Sequence, residues 1–297
     1  MKDRFPYDCN PHSLDLETEI LRWAWDANLF ESPAELERCR VQKVNRFAGY
    51  LYPRESKERL QPIMKLFLCL FLLDDILDYE VNEEMVDILE DIRRHKIRIE
   101  SRRIEILSNH CLKMHLLLKK TMKTEILRQE WEEYWFQYLG GLQWELINKL
   151  ERKAPNFIEY RMQRPHSSGV FLAVHLLRNE YSPRDCEAEL LEREIARLIC
   201  FSNDIASYYK ELSIGDFHNE LILIFGENNE KALAWGMEER KKIVHKIHSL
   251  SDLIRAKSND CDQWIDHLHL MVGGCLFWGE ESLRYQNYIN GKPSQLK

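Results

Sequence analysis

The chain has 297 residues, 44% apolar and 31% charged, which is enough for a sizeable core and fits a soluble globular protein. Its formal net charge of −7 argues against a general nucleic-acid binder, whose affinity comes from neutralising phosphates. With 11 Gly, 9 Pro and almost no hairpin dipeptides, it reads as helices rather than strands.

The opening MKDRFPYDCNPH is no signal peptide. Residues 13–29 begin at a Ser cap and then show helical periodicity. Helices are also expected over 33–52, 57–80, 82–107, 109–123 and 125–150. Within these, the basic stretch RRHKIRIESRR (93–103) is flanked and interrupted by acids and reads as a solvated helix face or loop. Pro155 opens a further helix, which Pro165 and Gly169 interrupt as a kink or short loop. Helical patterns resume over 170–180, 184–212, 216–225, 230–256 and 259–288, and the tail 290–297 is expected to fray. About ten or more helices without strands predict one all-α domain over 1–297, arranged around a cavity or packed as a solid bundle.

Eight cysteines are scattered without a C-x-x-C or a compact disulfide pattern, so a reducing cytoplasm is expected. The longest apolar run is too short to span a bilayer. His245 with His248 and His267 with His269 lack an obvious third ligand for zinc.

Two acidic constellations stand out. In LFLCLFLLDDILDYE (66–80) eight apolar residues run into Asp74, Asp75 and Asp78. Asp74 and Asp78 share a helix face with Phe67 and Phe71, while Asp75 points about 100° away. Clustered carboxylates raise one another's pKa unless a cation neutralises them. A helix emerging into water would also carry acids here, so this motif alone leaves both readings open. The second stretch is FSNDIASYYKE (201–211), where Asn203, Ser207 and Glu211 follow at i, i+4 and i+8. An amide oxygen, a hydroxyl and a carboxylate on one stripe suit Mg2+, which prefers hard oxygen ligands. Asn and Ser are mediocre helix-interior residues, so a plain polar face explains them poorly.

The pattern N-D-I-x-S-x-x-K-E resembles the second metal motif of class I terpene synthases, and DDILD resembles their aspartate-rich first motif. FPYDCNPH followed by WAWDANL, APNFIEYRMQRPHSSG, and WGEESLRY (278–285) resemble further segments of bacterial-type members, in the family's order. The resemblance implies a single-domain class I terpenoid synthase fold around a central apolar cavity. It implies ionisation of a linear isoprenyl diphosphate and cyclisation of the resulting cation, with three Mg2+ ions or Mn2+ in their place. Asp74 would hold two ions, and Asn203, Ser207 and Glu211 the third. Asp78 is a further ligand or an outer acceptor. Asp204 points off the ligand stripe and is expected to be structural, bonding a neighbouring basic side chain.

Arg164, Lys210, Arg284 and Tyr285 would complete an anion clamp. Arg164 is preferred to Arg161 as the diphosphate sensor because it follows Tyr160 by four residues, matching E-Y-x-x-x-R. By the same alignment Ser167 is the linker and Ser168 offers its backbone carbonyl to the substrate, with Gly169 as the alternative. Phe67, Phe71 and Trp278 are candidate cavity walls, ahead of Phe47, Tyr134, Tyr138 and Trp144. For any single one of these aromatics, ordinary core packing is the favoured reading.

The implied substrate is farnesyl diphosphate, with geranylgeranyl diphosphate as runner-up. A prenyl-chain-elongating enzyme would need a second aspartate-rich motif where Asn-Asp-Ile-Ala-Ser stands. A helical scaffold without enzymatic activity would show no Mg2+-dependent diphosphate release. A homodimer, no nucleic acid and no membrane span complete the expectations.

Overall fold

The computed structural model describes residues 4–282, and among these it contains 13 α-helices and no strand. They fall into two compact units, Asp8–Glu151 and Met1–Tyr7 with Arg152–Lys297.

In the first unit, α1 (Ser13–Asp26) leads to α2 (Pro33–Val41), which Ser32 caps by accepting the Glu35 N–H, with Pro33 in the first turn. The predicted helix 33–52 is broken at Lys43, whose φ of 55° is left-handed. A 3-10 turn (Val44–Arg46) and the short α3 (Phe47–Leu51) follow. Next come α4 (Lys57–Tyr79) and α5 (Glu83–Arg93), capped by Ser56 and Asn82. The first unit closes with α6 (Arg103–Thr121) and α7 (Glu125–Glu151).

The apolar run of α4 is buried on nearly every side. Leu66, Leu68, Cys69, Leu72 and Leu73 are all fully covered, and α4 packs against α3 and α6. Each such leucine contributes about 2 kcal/mol of hydrophobic burial. A break was expected near residue 108 but lies at 94–102. There His95 takes a left-handed φ of 56°, and Glu105 reaches back to the Ser101 and Arg102 N–H groups to start α6.

The second unit holds α8 (Phe157–Ser167), α9 (Val170–His175), α10 (Cys186–Ile214), α11 (Glu220–Phe225), α12 (Asn229–Lys257) and α13 (Asp262–Glu281). Pro165 stays inside the last turn of α8, and the chain breaks instead at Gly169, whose φ of 69° a β-carbon would strain. Residues 176–185, partly expected in helix, lie outside it. α10 packs along α12, where Phe201 meets Trp235 edge-on with centroids 5.5 Å apart, and it ends at left-handed Gly215.

The amino-terminal segment belongs to this unit. Phe5 stacks on His248 with centroids 4.8 Å apart, and Tyr7 stacks on Phe277 at 4.1 Å. Gly273 lies so close beneath the Pro6 carbonyl that a β-carbon there would overlap it. No helix among the described residues is long and apolar enough to cross a membrane. All eight cysteines are free thiols.

Candidate active site

In the first unit, the three aspartates of α4 have different surroundings. Asp75 accepts a hydrogen bond from Arg38 Nη2 of α2 at 3.0 Å. Asp78 accepts one from Lys149 Nζ of α7, also at 3.0 Å. Asp74 is half-buried, and Tyr138, buried on α7, feels its charge. Burial, helped by that charge, pushes the Tyr138 hydroxyl well above its ordinary pKa. One and two turns before Asp74, Phe71 and Phe67 meet Phe47 edge-on, with centroids 5.3 Å and 5.7 Å apart. The apolar face that leads into the acids is therefore an aromatic cluster.

In the second unit, Asn203, Ser207 and Glu211 line one stripe of α10. Asn203 Oδ1 accepts from Arg164 Nη2 at 3.0 Å. Ser207 is buried and donates back to the Asn203 carbonyl at 2.8 Å, a bond open to a hydroxyl one turn along a helix. Glu211 Oε2 accepts from Asn219 Nδ2 at 2.6 Å. Burial, reinforced by the charge of Asp204, raises the Glu211 carboxyl to about 8. A protonated acid at neutral pH, on a stripe of hard oxygens, is a group that a divalent cation would ionise. Donor chemistry and spacing thus fit Mg2+. Lys210 stands half-buried beside Glu211.

Asp204, off the stripe, is buried and joins α8, α10 and α11. It is 1% exposed, accepts from the Tyr160 hydroxyl (2.9 Å) and the Glu220 N–H (3.0 Å), and lies 3.7 Å from Arg164 Nε. Burial raises its carboxyl to about 6 against the pull of Arg164. The two candidate sensor arginines separate clearly. Arg161 gives Nε and Nη2 to Glu220 Oε1 at 2.8 Å and 2.6 Å, and Arg197 pairs with the same buried carboxylate. Arg164 instead reaches Asn203, the first member of the α10 stripe. Ser167, buried, and Ser168 donate to the carbonyls of Arg164 (3.3 Å) and Pro165 (3.2 Å), so both hydroxyls brace the turn before Gly169.

Trp278 is buried near the end of α13. Arg284 and Tyr285, with the tail 290–297, lie outside the described residues. Sequence reasoning missed Asn219 and Glu220. Asn219 caps α11 through Oδ1 and bonds both the Asp204 carbonyl and Glu211 through Nδ2. The only available signal was an Asn ahead of the apolar run Leu221–Phe225, a helix start.

The family model for terpene synthase family 2, C-terminal metal binding, matches residues 65–248. Germacrene A synthase of Nostoc punctiforme is 26% identical over 320 residues, covering 99% of this chain and 96% of that enzyme. 4-epi-Cubebol synthase of Streptosporangium roseum, which cyclises (2E,6E)-farnesyl diphosphate, is 22% identical over 298 residues, with 95% and 88% covered. The crystal structure of linalool/nerolidol synthase from Streptomyces clavuligerus superposes with a TM-score of 0.78 at 14% identity, covering 92% of this chain and 98% of that one.

Proposed function

The chain belongs to terpene synthase family 2, and on that premise we propose that it ionises and cyclises farnesyl diphosphate with Mg2+ as its metal. It is a metal-dependent terpene synthase of the class I fold, acting on an isoprenyl diphosphate. The fifteen-carbon substrate is supported by the activities of the Nostoc and Streptosporangium relatives. The eight free thiols support a reducing, cytoplasmic setting. We take the whole chain as one terpene synthase domain, and a homodimer as its assembly.

The observation that carries the site assignment is the stripe Asn203, Ser207, Glu211 with Arg164 bonded to its first member. These three would hold one ion, and Asp74, with Asp78, the others of a set of about three. Metal bound there neutralises the departing diphosphate and so assists cleavage of the carbon–oxygen bond. Arg164 adds a planar fork suited to two phosphate oxygens, and Lys210 adds a point charge. In this reading Arg284 and Tyr285 extend the clamp. Ser167 and Ser168 hold the turn through which a backbone carbonyl meets the substrate. Phe67, Phe71 and Trp278 offer apolar or aromatic faces that exclude water and tolerate a carbocation.

Incubation with geranyl, farnesyl and geranylgeranyl diphosphates, with and without Mg2+, tests the proposal. A hydrocarbon or terpene alcohol from farnesyl diphosphate, formed only with metal, is the expected result. Product from geranylgeranyl diphosphate alone would make the chain a diterpene synthase. No product and no released diphosphate from any of the three would overturn the assignment.

A further inference from the structure

Three side chains that the terpene chemistry does not use converge in the first unit. His95 lies just after α5, His115 on α6 and Glu132 on α7. His95 Nε2 is 3.2 Å from Glu132 Oε2, and His115 Nε2 is 3.3 Å from Glu132 Oε1. One ligand atom from each residue falls within 4.8 Å of the other two. We propose that His95, His115 and Glu132 form a binding site for a late first-row divalent metal such as Zn2+, clipping the end of α5 to α6 and α7.

The geometry is close to what such an ion requires. Tetrahedral ligands about 2.0–2.1 Å from zinc stand roughly 3.3–3.4 Å from one another. Each histidine already stands at about that distance from one of the two Glu132 oxygens, so a single ion needs the His95 ring to turn toward the oxygen that His115 meets, and its side chain, 34% exposed, leaves room for that. His115 is fully buried and stacked on Trp135, with centroids 4.4 Å apart, so the inner ligand is held rigidly.

Imidazole ligands choose the metal. Two histidines and a carboxylate favour Zn2+, Co2+, Ni2+ or Cu2+ over Mg2+, whereas the α10 stripe carries only oxygens. The two kinds of site are therefore separable. Lys119 Nζ, 2.5 Å from Glu132 Oε1, is the built-in competitor. It is partly exposed and can turn to solvent when a cation takes its place.

Co2+ titration of chelator-treated protein, in excess Mg2+, tests the site through visible absorption. The expected result is about one equivalent taken up with the intense bands of a low-coordinate nitrogen-bound ion, displaced by Zn2+. His95→Asn keeps a residue that tolerates the left-handed backbone, and Glu132→Gln keeps the volume. Each should weaken binding roughly 10-fold or more. Lys119→Gln should tighten it, and this variant guards against misreading a poorly folded ligand variant. Farnesyl diphosphate turnover with Mg2+ should be unchanged in His95→Asn, and Asn203→Ala should retain the Co2+ bands. Absence of uptake, or uptake that is equal in wild type and His95→Asn, overturns the proposal.

Discussion

Arg164 donates a hydrogen bond to Asn203 at 3.0 Å, while Arg161, one helical turn earlier, spends its guanidinium on Glu220. Arg164, preferred on its spacing from Tyr160, touches the candidate metal stripe, and Arg161 ties α8 to the start of α11. Arg164→Ala should lower kcat by roughly 100-fold or more while leaving the fold intact, since it removes charge aimed at the leaving group. Arg161→Ala should instead cost about 1–2 kcal/mol of stability. That figure is below the loss for a fully buried pair, because Arg161 is a third exposed and Arg197 still faces Glu220. Steady-state kinetics beside thermal unfolding separates the two. Loss of turnover in Arg161→Ala alone would reverse the assignment.

Glu211 predicts a pH signature. Its carboxyl is raised from 4.5 to about 8, so the metal-free protein holds that proton through neutral pH. The folded state binds the proton more tightly than the unfolded chain. The stability it contributes is full below 4.5 and is lost as pH rises toward 8. Mg2+ needs the carboxylate, so its affinity should rise over the same window and level off above it. Calorimetric titration in buffers of different ionisation enthalpy should show proton release near pH 7, and Glu211→Gln should abolish that release.

Asn219 should matter twice over. Asn219→Ala removes the cap of α11 and strips a donor from both the Asp204 carbonyl and Glu211. Unfolding should become easier by roughly 2–3 kcal/mol, from one cap and one buried polar group left unpaired. The Mg2+ concentration for half-maximal turnover should also rise. Unchanged metal dependence would mean that Asn219 only braces α11.

The aspartates of α4 should not be equivalent. Asp74→Asn should reduce turnover by at least about 100-fold. Asp75→Asn breaks a partly exposed pair with Arg38, so it should cost at most about 1 kcal/mol and leave activity within a few-fold. Comparing kcat/KM of the two variants checks this, and equal losses would make Asp75 a ligand as well.

Much of this was legible because helical spacing is a local property. Positions i, i+4 and i+8 share a face in any α-helix, so Asn203, Ser207 and Glu211 could be aligned without coordinates. The off-stripe direction of Asp204 and Asp75 followed from the same rotation. Helix starts were readable where a side chain caps the turn, as Ser56 illustrates, but the cap expected of Ser13 is not made: Ser13 lies inside α1, and His12 takes the cap position without a side-chain bond. Breaks made by backbone conformation left no such mark. Lys43 and His95 end helices in left-handed geometry, yet neither residue type announces it.

Partnerships between helices were decided by tertiary structure alone. Which carboxylate or amide Arg161 and Arg164 each meet is set by the fold. Asn219 and Glu220 enter the site because α11 lies against α10. His95, His115 and Glu132 are separated by twenty and seventeen residues and share no pattern, but the turn after α5 and the helices α6 and α7 carry their ligand atoms to within 4.8 Å. Periodicity gives the direction of a side chain from its own axis. What that side chain meets depends on how the axes pack, which is set by the apolar faces of every helix at once.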